Sequence, residues 1–173
     1  MDVKHITLSK DTSKTVDIVK ERKIRVVTNN DNWSYDYNPD VQLQLLVNDC
    51  SNNPIYKTMI QQIQSKITGY KSQDLTKKIY ELDKFVNLPF TTSLLIQSNL
   101  KCYYCKDDVK VLYEHVREPK QWTLERICND FGHNMGNVEI ACLSCNLKRR
   151  TMYHERFIFT KQLSIVKQSG SPF

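Results

Sequence analysis

Apolar residues recur every three or four positions between Asn53 and Gly69, at Ile55, Met59, Ile60, Ile63 and Ile67. That spacing puts them on one face of an α-helix. Asn53 followed by Pro54 supplies an N-cap with proline in the first turn, and Gly69 is suited to closing the helix in a left-handed conformation. A second stripe, Leu75, Ile79, Leu82 and Val86, predicts another helix that begins at Asp74 and stops before Pro89. TTSLLIQSN predicts a short third segment leading into Cys102. Stripes of this kind pack helices against one another, so residues 53–99 read as a helical adaptor.

Beyond Asn99 the period changes. The stretch from Trp122 to Ile127 and the stretch from Asn137 to Ala141 alternate and are rich in β-branched residues. The turn-forming NDFGHNMG lies between them, and Ser144 offers an N-cap for a following helix. The order predicted is strand, loop, strand, helix. Farther on, Phe159, Leu163 and Val166 fall at helical spacing, which predicts a C-terminal helix that returns to pack on the rest. The first fifty residues say least: VKHITL and KIRVV read as short strands and DNWSYDYNPD as a polar loop. Three parts result: an N-terminal arm at 1–52, the adaptor at 53–99, and a chemical module at 100–168. The fold class expected is α+β.

Composition changes this picture little. At 173 residues the chain has room for one ordinary domain, or for a small module with an adaptor in front. Lys and Arg outnumber Asp and Glu by 25 to 19, a mild excess that favours nucleic acid as partner only where it is clustered. No leader-like start and no bilayer-length apolar run stand out, which points to an intracellular protein and no membrane partner.

Cysteine spacing changes it more. Cys102-Tyr-Tyr-Cys105 and Cys142-Leu-Ser-Cys145 are two CxxC knuckles separated by the 36 residues 106–141. Four thiolates complete a closed tetrahedral zinc shell, which is a structural site. Cys50 and Cys128 stand outside the pairs and read as single small, partly buried residues. Tyr103, Tyr104 and Trp122 suit either packing around the zinc or stacking on bases.

Cys102, Cys105, WTLERI, Gly132-His133-Asn134, Asn137 and the run from Cys142 to Arg149 together resemble the HNH endonucleases. These are ββα-metal nucleases, and the likeness is to their four-cysteine, zinc-braced form found in phages and large DNA viruses. It covers Cys102 to Arg150 and leaves the first hundred residues aside. The resemblance implies a treble-clef-like module that hydrolyses phosphodiester bonds in DNA. It also implies that Glu125, near the end of the first strand, and Asn146, opening the helix, hold one catalytic Mg²⁺ or Mn²⁺. Asn137 matches the family's middle asparagine, whose role is to brace the loop.

One departure stands out. Most members place a histidine directly after the carboxylate as general base, and here Arg126 fills that position. Arginine stays protonated and cannot take the proton, though its fork can clamp a phosphate oxygen. His133, in the loop, is the first candidate for base or phosphate contact, with a loop-stabilising hydrogen bond as its other reading. His115 and His154 lie outside the strand–strand–helix frame, and His5 has no context. Lys148, Arg149 and Arg150 follow Asn146, and the latter two fall three and four residues on, where they would share its face and meet phosphate.

The expected function is a divalent-metal-dependent DNA endonuclease. A zinc-dependent nucleic-acid-binding module without cleavage is the alternative, and a protein-interaction domain with purely structural zinc is a third class. Cutting both strands with one site per chain calls for a homodimer or for rebinding.

Overall fold

A computed structural model describes Lys23 and residues 38–163 of the chain. The strand expected at VKHITL and, beyond Lys23, the one expected at KIRVV lie outside the described residues, as does Val166. Among the described residues the protein is a mixed α+β structure with five helices and one two-stranded sheet. No helix among them is long and apolar enough to cross a membrane.

Three helices share one opening device. Asn38, Asn53 and Asn87 each cap a helix, their side chains accepting from Asp40 N, Ile55 N and Phe90 N, with proline in the first turn of each. The helices are α1 (Pro39–Val47), α2 (Pro54–Thr76) and α3 (Leu88–Gln97). An asparagine cap satisfies an orphan N–H, and the proline at that point loses no intrahelical bond. Pro89 therefore starts a helix instead of ending one, and α1 opens within the stretch read as a polar loop.

Two other expectations fail in the same region. Gly69 does not close α2, which runs on to Thr76 and ends where Lys78 turns left-handed, at φ 58°. The helix expected from Asp74 is absent: Leu75 and Leu82 are exposed, and of the stripe only Val86 enters the core. The segment after α2 pairs with the loop between the strands instead, through Val86 N to His133 O (3.0 Å) and Met135 N to Lys84 O (2.8 Å). Tertiary pairing overrides the local helical pattern there.

Strands β1 (Trp122–Arg126) and β2 (Val138–Cys142) are antiparallel, with Trp122 opposite Cys142 and Glu125 opposite Glu139. Helix α4 (Leu143–Arg149) follows β2 directly, and Cys142, not Ser144, is its N-cap. The outer edge of β1 is covered by α2: Tyr70 Oη accepts from Leu124 N at 3.0 Å, and Lys66 Nζ donates to Trp122 O. Covering an edge removes a row of unpaired backbone groups. Gln42 of α1 does similar work nearby, its amide oxygen accepting from Val111 N and Leu112 N.

One apolar core results, running from Met59, Ile63 and Ile67 of α2 and Leu95 of α3 to Leu124 and Ile140 of the sheet. Helix α5 (His154–Gln162) joins it through Phe157, while Phe159 and Leu163, expected to pack, are exposed.

Two glycines separate close approach from open space. A Cβ on Gly132 would lie 2.6 Å from Ile79 O and 2.8 Å from Asp74 Oδ2, whereas one on Gly69 meets nothing within 4 Å. Gly132→Ala is therefore expected to destabilise the protein by roughly 1–3 kcal/mol through overpacking. Gly69→Ala, inside a helix, should stabilise it by about 0.5–1 kcal/mol. Thermal or denaturant melts of the two variants check the opposite signs.

Candidate metal centre and cleft

The two knuckles meet. The sulfurs of Cys102, Cys105, Cys142 and Cys145 all lie within 4.8 Å of one another, and none is in a disulfide. Cys105 Sγ and Cys142 Sγ are 3.9 Å apart. Zinc–sulfur bonds of about 2.3 Å arranged tetrahedrally put sulfurs about 3.8 Å apart, so the spacing suits zinc. A backbone donor supports the set, Cys145 N to Cys142 Sγ at 3.3 Å. A hydrogen bond from Cys142 and backbone donors lower the pKa of Cys102, the same bond with burial raises that of Cys142, and burial, with the neighbouring sulfur of Cys102, raises that of Cys145. Four thiolates so close together need a divalent charge between them. The four residues suit a zinc-type site, with one thiol offered from each.

The rest of the knuckle surroundings is packing. Trp122 and Tyr104 are fully buried, and Tyr104 Oη lies 3.0 Å from His154 Nδ1, with Tyr103 stacked on the same imidazole. Burial lowers the pKa of His154. His115 sits apart, beside Glu114 at 3.6 Å. Cys50 and Cys128 are half-buried.

From the zinc end, α4 runs back along β1. Asn146 Nδ2 donates to Thr123 Oγ1 at 3.2 Å, and a turn farther on Arg149 Nη1 pairs with Glu125 Oε1. The same guanidinium donates to Arg126 O (2.7 Å) and Ile127 O (2.8 Å), which closes the end of the strand. Arg149 is 2 % exposed. It is thus not available to phosphate, contrary to the reading of the basic run: it is a buried clamp. Lys148 is exposed and lies outside the cleft described next, so of the three only Arg150 reaches it.

That cleft, of about 550 Å³, lies between α2 and the β1–α4 unit. Glu125, His133 and Asn146, drawn from a strand, a loop and a helix, all line it. Lys66, Lys77, Arg126 and Arg150 line it too, against the one carboxylate of Glu125, which Arg149 already partners. Burial raises the pKa of Glu125, and Arg149 opposes the shift. No donor among the described residues reaches the second Glu125 oxygen or Asn146 Oδ1. Arg126 faces the cleft while one of its nitrogens donates to Asn129 O and Phe131 O.

His133 is held from below. Asp74 of α2 accepts from His133 N at 2.6 Å through Oδ2, and its Oδ1 lies 2.8 Å from His133 Nδ1. Tyr70 stacks on the imidazole at 4.4 Å. Burial lowers the pKa of His133, and nearby Arg126 and Lys77 lower it further against the pull of Asp74. Asn137 braces the loop by accepting from Cys128 N and donating to Cys128 O and Gly132 O, each at 3.0 Å. Asp74, Tyr70 and Lys77 were not recognised as site residues from the sequence. Asp74 carried no such signal in the sequence, where it reads as the start of a helix and a carboxylate is at home; its place in the last turn of α2 emerges only in the fold.

No family model, curated protein or solved structure matches this chain.

Two outcomes follow from the packing. Stripping metal with a strong chelator, or replacing Cys145 by serine, is expected to abolish zinc binding by mass spectrometry and to melt the structure below β2, seen as lost amide-exchange protection at 138–149. Arg149→Ala leaves a buried carboxylate and two strand-end carbonyls without their donor, and should cost about 3–5 kcal/mol. Lys148→Ala, one residue away, should leave the melting temperature unchanged.

Proposed function

We propose that the cleft is a divalent-metal-dependent endonuclease site acting on DNA, of the zinc-braced HNH type that the motifs resemble. The observation that carries this reading is the convergence of Glu125, His133 and Asn146, from three separated points in the chain, on one cleft rich in cations. The free oxygens of Glu125 and Asn146 suit a hard cation such as Mg²⁺ or Mn²⁺, which takes oxygen ligands and keeps room for phosphate. Bound there, such an ion supplies positive charge to the phosphate and to the departing 3′ oxygen.

The chain's own groups do the rest. His133, neutral because burial lowers its pKa, takes a proton from the attacking water. The water oxygen forms the new bond to phosphorus as the bond to the 3′ oxygen breaks, and that oxygen is protonated from solvent. Arg150, Lys77 and the outward part of Arg126 attract the phosphodiester backbone without reading its sequence. Arg126, in the position usual for the base, serves as a phosphate and loop contact.

A second reading is favoured by one observation: Glu125 is already paired with a buried arginine. If the guanidinium neutralises that carboxylate so far that its open oxygen holds no cation, the module binds nucleic acid through zinc-braced structure alone and does not cut.

A plasmid assay separates the two. Zinc-loaded protein is expected to convert supercoiled DNA to open-circle or linear forms with Mg²⁺ or Mn²⁺ and not without, and Asn146→Ala should abolish this. His133→Ala should slow it by about 100-fold or more. The rate should rise with pH through a midpoint below the ordinary histidine value of about 6.5, because protonated His133 cannot act and burial beside Arg126 and Lys77 outweighs Asp74. Equal inertness of wild type and Asn146→Ala, with plasmid binding that falls steeply with salt, selects the binding module instead.

A further inference from the structure

Asp74 sits in the last turn of α2 and is wholly buried. Neither circumstance favours a carboxylate: the helix dipole opposes negative charge at that end, and burial removes its water. Its two oxygens are both committed to one residue, His133, 59 positions away in the chain. Oδ2 takes the backbone N–H and so fixes where the loop passes. A Cβ at Gly132 would collide with that carboxylate and with Ile79 O, so the loop reaches Asp74 only because glycine precedes His133.

Oδ1 does something different. A carboxylate accepts hydrogen bonds, so the ring nitrogen facing it, Nδ1, carries the hydrogen, and the lone pair of the neutral imidazole lies on Nε2. Tyr70 fixes the ring plane by stacking at an interplanar angle of 29°, and Tyr70 is itself tied to the β1 edge by Leu124 N. The ring is therefore set in rotation by Asp74 and in plane by Tyr70. Holding the loop would need only the bond to the backbone. The second bond, to the ring, selects a tautomer.

We propose that Asp74 is the positioning residue of His133: it locks the Nδ1–H tautomer and thereby presents the Nε2 lone pair to the cleft. The use made of that lone pair, proton abstraction from water at a phosphodiester, rests on the nuclease reading above. The site then spans two parts of the chain, because the helix before the knuckles supplies the group that makes the loop histidine a base. This supplies what the arginine at position 126 takes away.

The test has one arm independent of activity. In the full-length zinc-loaded protein labelled with ¹⁵N, the side-chain nitrogen shifts of His133, assigned by comparison with His133→Ala, are expected to report Nδ1–H at a pH where the ring is neutral. In Asp74→Asn the amide can accept from His133 N and donate to Nδ1, so the ring should switch to Nε2–H. An Nε2–H ring in the wild type, or an Nδ1–H ring that persists in Asp74→Asn, overturns the proposal; the wild-type spectrum decides even if the variant does not fold. The second arm is plasmid cleavage. Asp74→Asn should lower the rate by about 100-fold or more in the wild-type background and add nothing in the His133→Ala background. A further loss in that background marks a role in holding the fold and counts against the proposal. If the wild type cuts nothing with any metal, the nuclease reading falls, and the tautomer arm still decides for or against Asp74.

Discussion

Helix α4 is pinned at both ends, and the cleft depends on that. At its start, two of the four clustered cysteines belong to β2 and the first turn of the helix, so a zinc-type site sets the angle at which α4 leaves the sheet. At its end, Arg149 reaches under the sheet to Glu125 and to the last carbonyls of β1. Between the two anchors Asn146 has no freedom to wander, and its side chain rests against Thr123. Thr123 and Glu125 are two apart on the strand and share a face. A helix of seven residues would be marginal alone. The cysteine cluster and the ion pair together give it a fixed place.

Two buried carboxylates organise the site, and their partners differ in kind. Glu125 is matched by a permanent cation, which offsets its burial and leaves one oxygen open toward the cleft. Asp74 is matched by a titratable ring and a backbone N–H, which orient that ring. A buried charge without a partner is costly, so each acid dictates the position of what it meets. Arg149 and His133 are accordingly among the most enclosed polar residues, although both belong to stretches that look like surface: a basic run and a turn-rich loop.

Helix α2 is more than an adaptor to the module. Its residues cover the β1 edge through Lys66 and Tyr70, line one wall of the cleft, and hold the loop through Asp74. Its uninterrupted 23 residues carry it from the core past Gly69 to that loop. A helix ended at Gly69 would have left Asp74 outside it and His133 without the partner that orients it.

Features that depend on near neighbours are legible along the chain: the paired knuckles, the two strands, the turn between them, and the Asn-Pro start of α2. Ligand spacing, side-chain alternation and capping are settled within a few residues, so they can be read from the chain alone. The same Asn-Pro start at 38–39 lies at the end of DNWSYDYNPD, whose polar composition reads as a loop although it opens α1. The docking of helices and sheet settles that Leu75 and Leu82 stay exposed, that Pro89 opens a helix, and that Lys148, Arg149 and Arg150 go to three different environments. It alone brought Asp74 to His133. Burial and partner choice across 59 residues follow from how helices and sheet dock, and no local pattern encodes which acid will lie beside which base.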